Sequence, residues 1–171
     1  LAGVSEILAC WFGAHPDAPP TANATAINRA IQCAKASRNA TLVLGPGTVA
    51  IDRTLVYDGA NRGITTLGAP EGSQSQGSAL GKCVLKWVVG EAPMIDVRGT
   101  FHTFHGFSLQ NDGLATHGIR CAIGGRQWMD RLVFSCPQGA RAFGVAAIEI
   151  DGVNYDRIRR CEFEAGPAVR V

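Results

Sequence analysis

The sequence predicts an all-β solenoid of short strands, closed at its N-terminal end by one α-helix. Three observations predict it. Three stretches can be laid over one another: Met94–Val97 with Phe104–Leu109, Gly118–Cys121 with Met129–Phe134, and Ala147–Ile150 with Ile158–Phe163. A single helical stripe precedes the strand-like segments. Gly at 21 and Pro at 8 positions suit a 171-residue chain that turns often. Short strands repeating at roughly 20–50 residues indicate coils whose inward side chains are buried only against neighbouring coils.

Taken in order, the opening from Leu1 to Ala14 is apolar but carries Glu6 and lacks a basic start, so it does not read as a signal peptide. The helix is expected over Asn23–Ser37, where Ile27, Ala30, Ile31 and Ala34 make one apolar stripe. Asn23 or Thr21 would cap its start and Asn39 would take the left-handed conformation past its end. Such a helix covers the exposed core of a first coil. Strand-like segments follow at Thr41–Leu44, Thr48–Ile51, Thr54–Tyr57, Ile64–Leu67 and Cys83–Val89, with Gly68–Gly81 as a long Gly, Ser and Gln-rich loop. Ile95, Ile119 and Ile148 are 24 and 29 residues apart, and Phe107, Leu132 and Cys161 are 25 and 29 apart. The matching offsets predict common rungs, with a further loop around Cys136–Val145. One domain results: residues 1–40 hold a strand and the capping helix, and 41–171 the coils. The sequence begins without Met and stops at Val171 straight after a strand-like unit. That is the pattern of a fragment, a processed chain, or a protomer whose open end a partner covers.

The bulk numbers exclude some classes. A net charge of +2 is too small to point to nucleic acid, and no apolar run approaches the roughly 18–20 residues of a membrane span. Thirteen of the sixteen basic residues are Arg, whose planar fork suits carboxylates. The six cysteines show no CxxC spacing. Cys121 and Cys161 fall on apolar positions of the repeat and read as buried hydrophobes, while Cys10, Cys33, Cys83 and Cys136 leave disulfides open.

Phe12-Gly13-Ala14, Asp17, the helix around Ala26–Ile31 and Leu44-Gly45-Pro46-Gly47-Thr48 stand in the order of a known N-terminal pattern. On these residues the chain resembles the pectate-lyase superfamily. The resemblance implies a right-handed parallel β-helix with an N-terminal capping α-helix, found in polysaccharide lyases, glycoside hydrolases and phage tailspikes. Asn23-Ala24-Thr25 replaces the family's acidic helix start, and Val49 its Tyr. The resemblance further implies an extracellular or virion-surface protein that meets polysaccharide, either as an enzyme or as a structural spike that trimerises. No cofactor is evident from the residues; calcium enters only through the resemblance.

Alternation along Ile148–Ile150 turns Glu149 and Asp151 outward, and the repeat puts Asp96 and Arg120 in the column of Glu149. Asp96, Glu149 and Asp151 are therefore the candidate acid–base carboxylates, since Asp96 and Glu149 stand two coils apart, near the separation of an inverting pair. The plainer reading is an exposed ladder of alternating charge worth at most about 1 kcal/mol per pair. Arg120, Arg157 and Arg159, with Arg160 nearby, are candidates for gripping an anionic sugar chain; a solvated edge is the plainer alternative. His102 and His105 read as turn polar groups, because residues three apart on an extended segment face opposite ways, and no metal site is expected. Trp11, Trp87 and Trp128 offer sugar-stacking faces, although Trp87 and Trp128 fall in strand-like segments that suggest packing. Asn23 and Asn39 fit the glycosylation acceptor pattern.

Overall fold

The computed structural model describes residues 5–37, 40–59, 63–68, 83–136, 143–151, 156–164 and 169–170. β1 (Glu6–Leu8) leads into a 3-10 turn (Ala9–Phe12) and then α1 (Pro20–Ala36). Five triplets of strands follow among the described residues. They are β2 (Thr41–Val43), β3 (Gly47–Ile51) and β4 (Leu55–Gly59); β5 (Thr65–Leu67), β6 (Cys83–Trp87) and β7 (Ile95–Gly99); β8 (Thr103–His105), β9 (Ser108–Asn111) and β10 (His117–Cys121); β11 (Trp128–Asp130), β12 (Val133–Ser135) and β13 (Ala146–Ile150); β14 (Arg157–Arg159), β15 (Glu162–Phe163) and β16 (Val169–Arg170). From β2 onward each strand pairs in parallel with the strand three places along, so the chain visits three sheets in rotation. The first sheet holds β1, β2, β5, β8, β11 and β14, the second β3, β6, β9, β12 and β15, and the third β4, β7, β10, β13 and β16. Three parallel sheets arranged in this way are consistent with a parallel β-helix. The long loop expected over 68–81 lies almost wholly outside the described residues, as does the middle of the one around 136–145.

The inward columns follow the predicted register. Leu55, Ile95, Ile119 and Ile148 align on the third sheet, each fully buried. Leu85, Leu109 and Phe134 align on the second, and Leu42, Thr66, Phe104 and Met129 on the first. Burying one such large apolar side chain stabilises the fold by roughly 1.5–3 kcal/mol, so a column of four outweighs any surface contact in the molecule. In the last triplet Ile158, Cys161 and Phe163 are only partly buried, although Phe163 still stacks on Phe134 at 5.1 Å.

Polar groups also enter the interior, and they do so in series. His102 Nδ1 accepts from the Ile64 amide at 3.2 Å, Gln127 Oε1 from the His102 amide at 2.8 Å, and Asp156 Oδ1 from the Gln127 amide at 2.6 Å. Each side chain thus satisfies the amide of its equivalent one coil earlier, at a corner where no strand partner exists. Gln127 closes the set by donating to the Gly99 carbonyl at 2.6 Å. His102, expected as a turn polar group, is instead fully buried, edge-on to Tyr57 and stacked on Phe104. Its place two residues before the inward Phe104 puts it on the same face by simple alternation.

The helix covers the open edges of the first coil. It runs from Pro20, not Asn23, because Pro19-Pro20 fixes the helical entry and a proline at the first position has no amide to leave unpaired. Asn23, released from a capping role, is fully buried; it accepts from the His15 amide at 2.9 Å and donates to the Ala18 and Ala50 carbonyls at 3.0 and 3.1 Å. That burial removes it as a glycosylation acceptor in the folded chain; Asn39 lies outside the described residues. Asn28 imitates a strand, accepting from the Val56 amide at 3.0 Å and donating to the Thr54 carbonyl at 3.1 Å along the edge of β4. Capping of this kind quenches an edge that would otherwise recruit another chain. The Phe12-Gly13-Ala14 segment is not a strand: the 3-10 turn ends at Gly13, whose φ of 99° needs glycine. None of the six cysteines forms a disulfide; Cys83 and Cys121 are buried, and burial pushes the Cys121 thiol up to about 12.

Two outcomes follow for stability. Asn23→Ala leaves three part-buried backbone groups without their side-chain partner and should cost roughly 1–3 kcal/mol, against less than about 1 kcal/mol for Thr25→Ala, by urea unfolding. Burial holds His102 at about 4, below its ordinary 6.5, so the unfolded chain binds the proton first. Stability is full above about pH 6.5 and falls toward pH 4, by at most about 1.4 kcal/mol per pH unit from this group. His102→Gln keeps an acceptor for Ile64 and should flatten that part of the profile; an unchanged slope would refute the assignment.

Candidate functional site

The outward face of the third sheet gathers the charged candidates. Before each outward residue the chain turns a corner: Met94–Ile95, Gly118–Ile119 and Ala147–Ile148 are buried as adjacent pairs. Gly118 is required there, because a Cβ would come within 2.7 Å of the Phe134 ring. The next residue of each coil then emerges, and Val56, Asp96, Arg120, Glu149 and Arg170 form one column. Asp96 and Glu149 stand two rungs apart, about 9–10 Å between backbones.

Their surroundings differ. Glu149 is the hub of a cationic cluster, with His117 Nε2 at 2.9 Å, Arg120 Nε at 3.6 Å and Arg170 Nε at 3.7 Å from its carboxylate. The His117 approach is off the line of a hydrogen bond, and its Nδ1 lies 3.0 Å from the Thr116 hydroxyl. Burial lowers the His117 pKa, and the Glu149 carboxylate opposes that effect. Asp96 is almost fully buried, with Oδ2 held by Arg98 at 2.6–2.7 Å, while Oδ1 has no hydrogen-bond partner among the described residues. Asp151 sits just past β13, exposed, its amide bonded to the Cys121 carbonyl.

The other arginines lie on the first sheet, a separate face. Arg160 grips Asp130 through both guanidinium branches, at 2.9 and 2.5 Å, and holds that carboxyl below its ordinary range. His105 Nδ1 is 3.3 Å from the same Asp130. Arg159 is exposed on the rung of Asp130, and Arg157 lies over the ring of Trp128, 5.8 Å from its centroid. Arg120 is thus brought to Glu149, whereas Arg157 and Arg159 are not. Trp87 is buried, its indole donating to the Gly90 carbonyl at 3.0 Å, but Trp128 and Trp11 are exposed. The packing expected of Trp128 fails because it occupies an outward position of its short strand.

Sequence reasoning missed His117 and Arg98. Their signal was positional: one precedes the Arg120 column, and the other follows Asp96 at the same-face spacing of two. No three His, Cys, Asp or Glu side chains converge as a group that could hold a metal ion among the described residues. No helix among the described residues is long and apolar enough to cross a membrane. No family model matches the chain, and no curated protein and no solved structure matches it.

Glu149→Gln removes the charge that opposes the burial effect on His117. In an NMR titration of the His117 ring the midpoint should move to lower pH; movement upward would mean that Glu149 does not face it.

Proposed function

We propose that the chain is a right-handed parallel β-helix of the pectate-lyase type that recognises an acidic polysaccharide across the outward face of its third sheet. The observation that carries this reading is the mixed column: Asp96 and Glu149 two rungs apart, with Arg98, Arg120 and Arg170 beside them. An extended acidic chain needs guanidinium forks for its carboxylates and a rigid row on which to lie. Parallel rungs supply both at fixed spacing.

On this reading Asp96 and Glu149 act as an acid–base pair. One carboxylate removes a proton from water or from the sugar carbon beside the uronate carboxyl, and the other protonates the departing glycosidic oxygen. Arg120 neutralises the uronate. Asp151, exposed past the strand end, is the weaker member of the candidate set. An extracellular or virion-surface setting, where such polymers occur, goes with the reading.

A second reading has its own observation. Ile158, Cys161 and Phe163 are partly exposed and Val169 is 42% exposed, which suits a spike or tail-type rod whose last described coil packs against further protein, as in a trimer.

Assay of uronate-rich polysaccharides by reducing ends and by absorbance at about 235 nm, which rises only on elimination, separates the readings. Asp96→Asn and Glu149→Gln should each lower turnover by about 10²–10⁴-fold, with Asp151→Asn within a few-fold. Turnover indifferent to both changes would sink the pair; binding without turnover by a native trimer would favour the rod.

A further inference from the structure

A second surface lies where the chain passes from the third sheet to the first. Phe101 and Arg126 occupy equivalent turn positions on successive coils, and both are held in the left-handed region, at φ 66° and 61°. A bulky residue there is strained by roughly 1–2 kcal/mol, and glycine or asparagine would relieve it. Gly124, two residues before Arg126, shows how tight the turn is: a Cβ would sit 2.1 Å from the Gly99 carbonyl. The strain accompanies a particular presentation. Phe101 and Trp128 remain 49% and 40% exposed, although a guanidinium already lies over each ring: Arg126 is 5.4 Å from the Phe101 centroid and Arg157 is 5.8 Å from that of Trp128. Trp128 stands on a column whose earlier members among the described residues are Glu6, Thr41, Thr65 and Thr103, so its nearest neighbour on that side is the small Thr103. Phe101 and Trp128 are one coil and two residues apart in register, roughly 8 Å between backbones.

We infer that Phe101, Arg126, Trp128 and Arg157 form an accessory binding surface for an acidic polysaccharide, separate from the Asp96–Glu149 face. The chemistry selects this occupant. A pyranose ring has an apolar face that stacks on an exposed aromatic ring, and a uronate carries its carboxylate at the ring edge, within reach of a guanidinium already positioned over that aromatic. Cation–π contacts pre-orient both forks, so less side-chain freedom is lost on binding. Stacking with arginine also suits single-stranded nucleic acid, but that binding needs a continuous positive groove. Here Asp130 lies on the strand of Trp128 itself, paired with Arg160 just past the next strand, and the whole chain carries only +2. The assignment rests on the proposed recognition of acidic polysaccharide but uses none of the residues of that face.

Calorimetric titration of the intact chain with polygalacturonate and with its methyl ester tests it, with an oligothymidylate as a third probe. Trp128→Ala and Arg157→Ala should each weaken polygalacturonate binding by about tenfold, and the ester should bind about tenfold more weakly than the acid. Asp17→Asn, an exposed change outside both surfaces, should bind as the unaltered chain does. Phe101→Gly should lower affinity while leaving Tm equal or higher, the mark of strain kept for binding. Polygalacturonate bound with undiminished affinity by both the Trp128 and Arg157 variants overturns the accessory surface and leaves the wider reading standing. A chain that binds neither polymer overturns both. Oligothymidylate bound by the unaltered chain and lost in these variants, with no such loss for polygalacturonate, replaces the sugar occupant with nucleic acid.

Discussion

The inward side chains of the described strands stack on their equivalents one rung above and below, and meet across one shared interior. A globular core can redistribute a misplaced residue among many neighbours, but a stack of coils cannot, because each rung sees two others. Register is therefore the constraint on which the rest depends. A slip of one residue would exchange Ile95 for Asp96 between interior and surface, and would do so in every coil in contact. The same constraint makes the outer face useful. Side chains that alternate outward are carried at a fixed spacing by backbones already locked by the interior.

The corners complicate this alternation and account for most of what the sequence concealed. The stacked isoleucines Ile95, Ile119 and Ile148, the coil offsets and the capping helix were all legible, because apolar periodicity and repeat spacing report burial directly. The helix start was displaced by three residues, since a Pro-Pro entry competes with the more familiar Asn cap. His102 was misplaced for a different reason. Alternation with Phe104 puts it on the inward side, but a lone histidine beside a turn gives no sign that its ring will be buried, and the ladder through Gln127 and Asp156 has no local signature at all. For the candidate site, the column of Asp96, Arg120 and Glu149 was visible in the overlay. His117 and the exposure of Trp128 were not, because each depends on contacts between coils rather than along the chain.

Polar groups divide into two kinds by what they satisfy. Those of the interior, and Asn23 and Asn28 of the helix, answer backbone amides and carbonyls that the sheets leave unpaired at corners and edges. Those of the outer faces answer one another, as Glu149 does His117, Arg120 and Arg170, and Asp130 does Arg160. A structural group tends toward saturation, since an unpaired buried atom costs about 1–3 kcal/mol.

Nuclear Overhauser contacts between backbones test the central claim most directly. The stacked register requires amide-to-α-proton contacts linking the rung of Ile95 to that of Ile119, and Ile119 to Ile148, in series and with the parallel pattern. Cross-strand α-to-α contacts of antiparallel pairs, or no contact between these isoleucines, would contradict it.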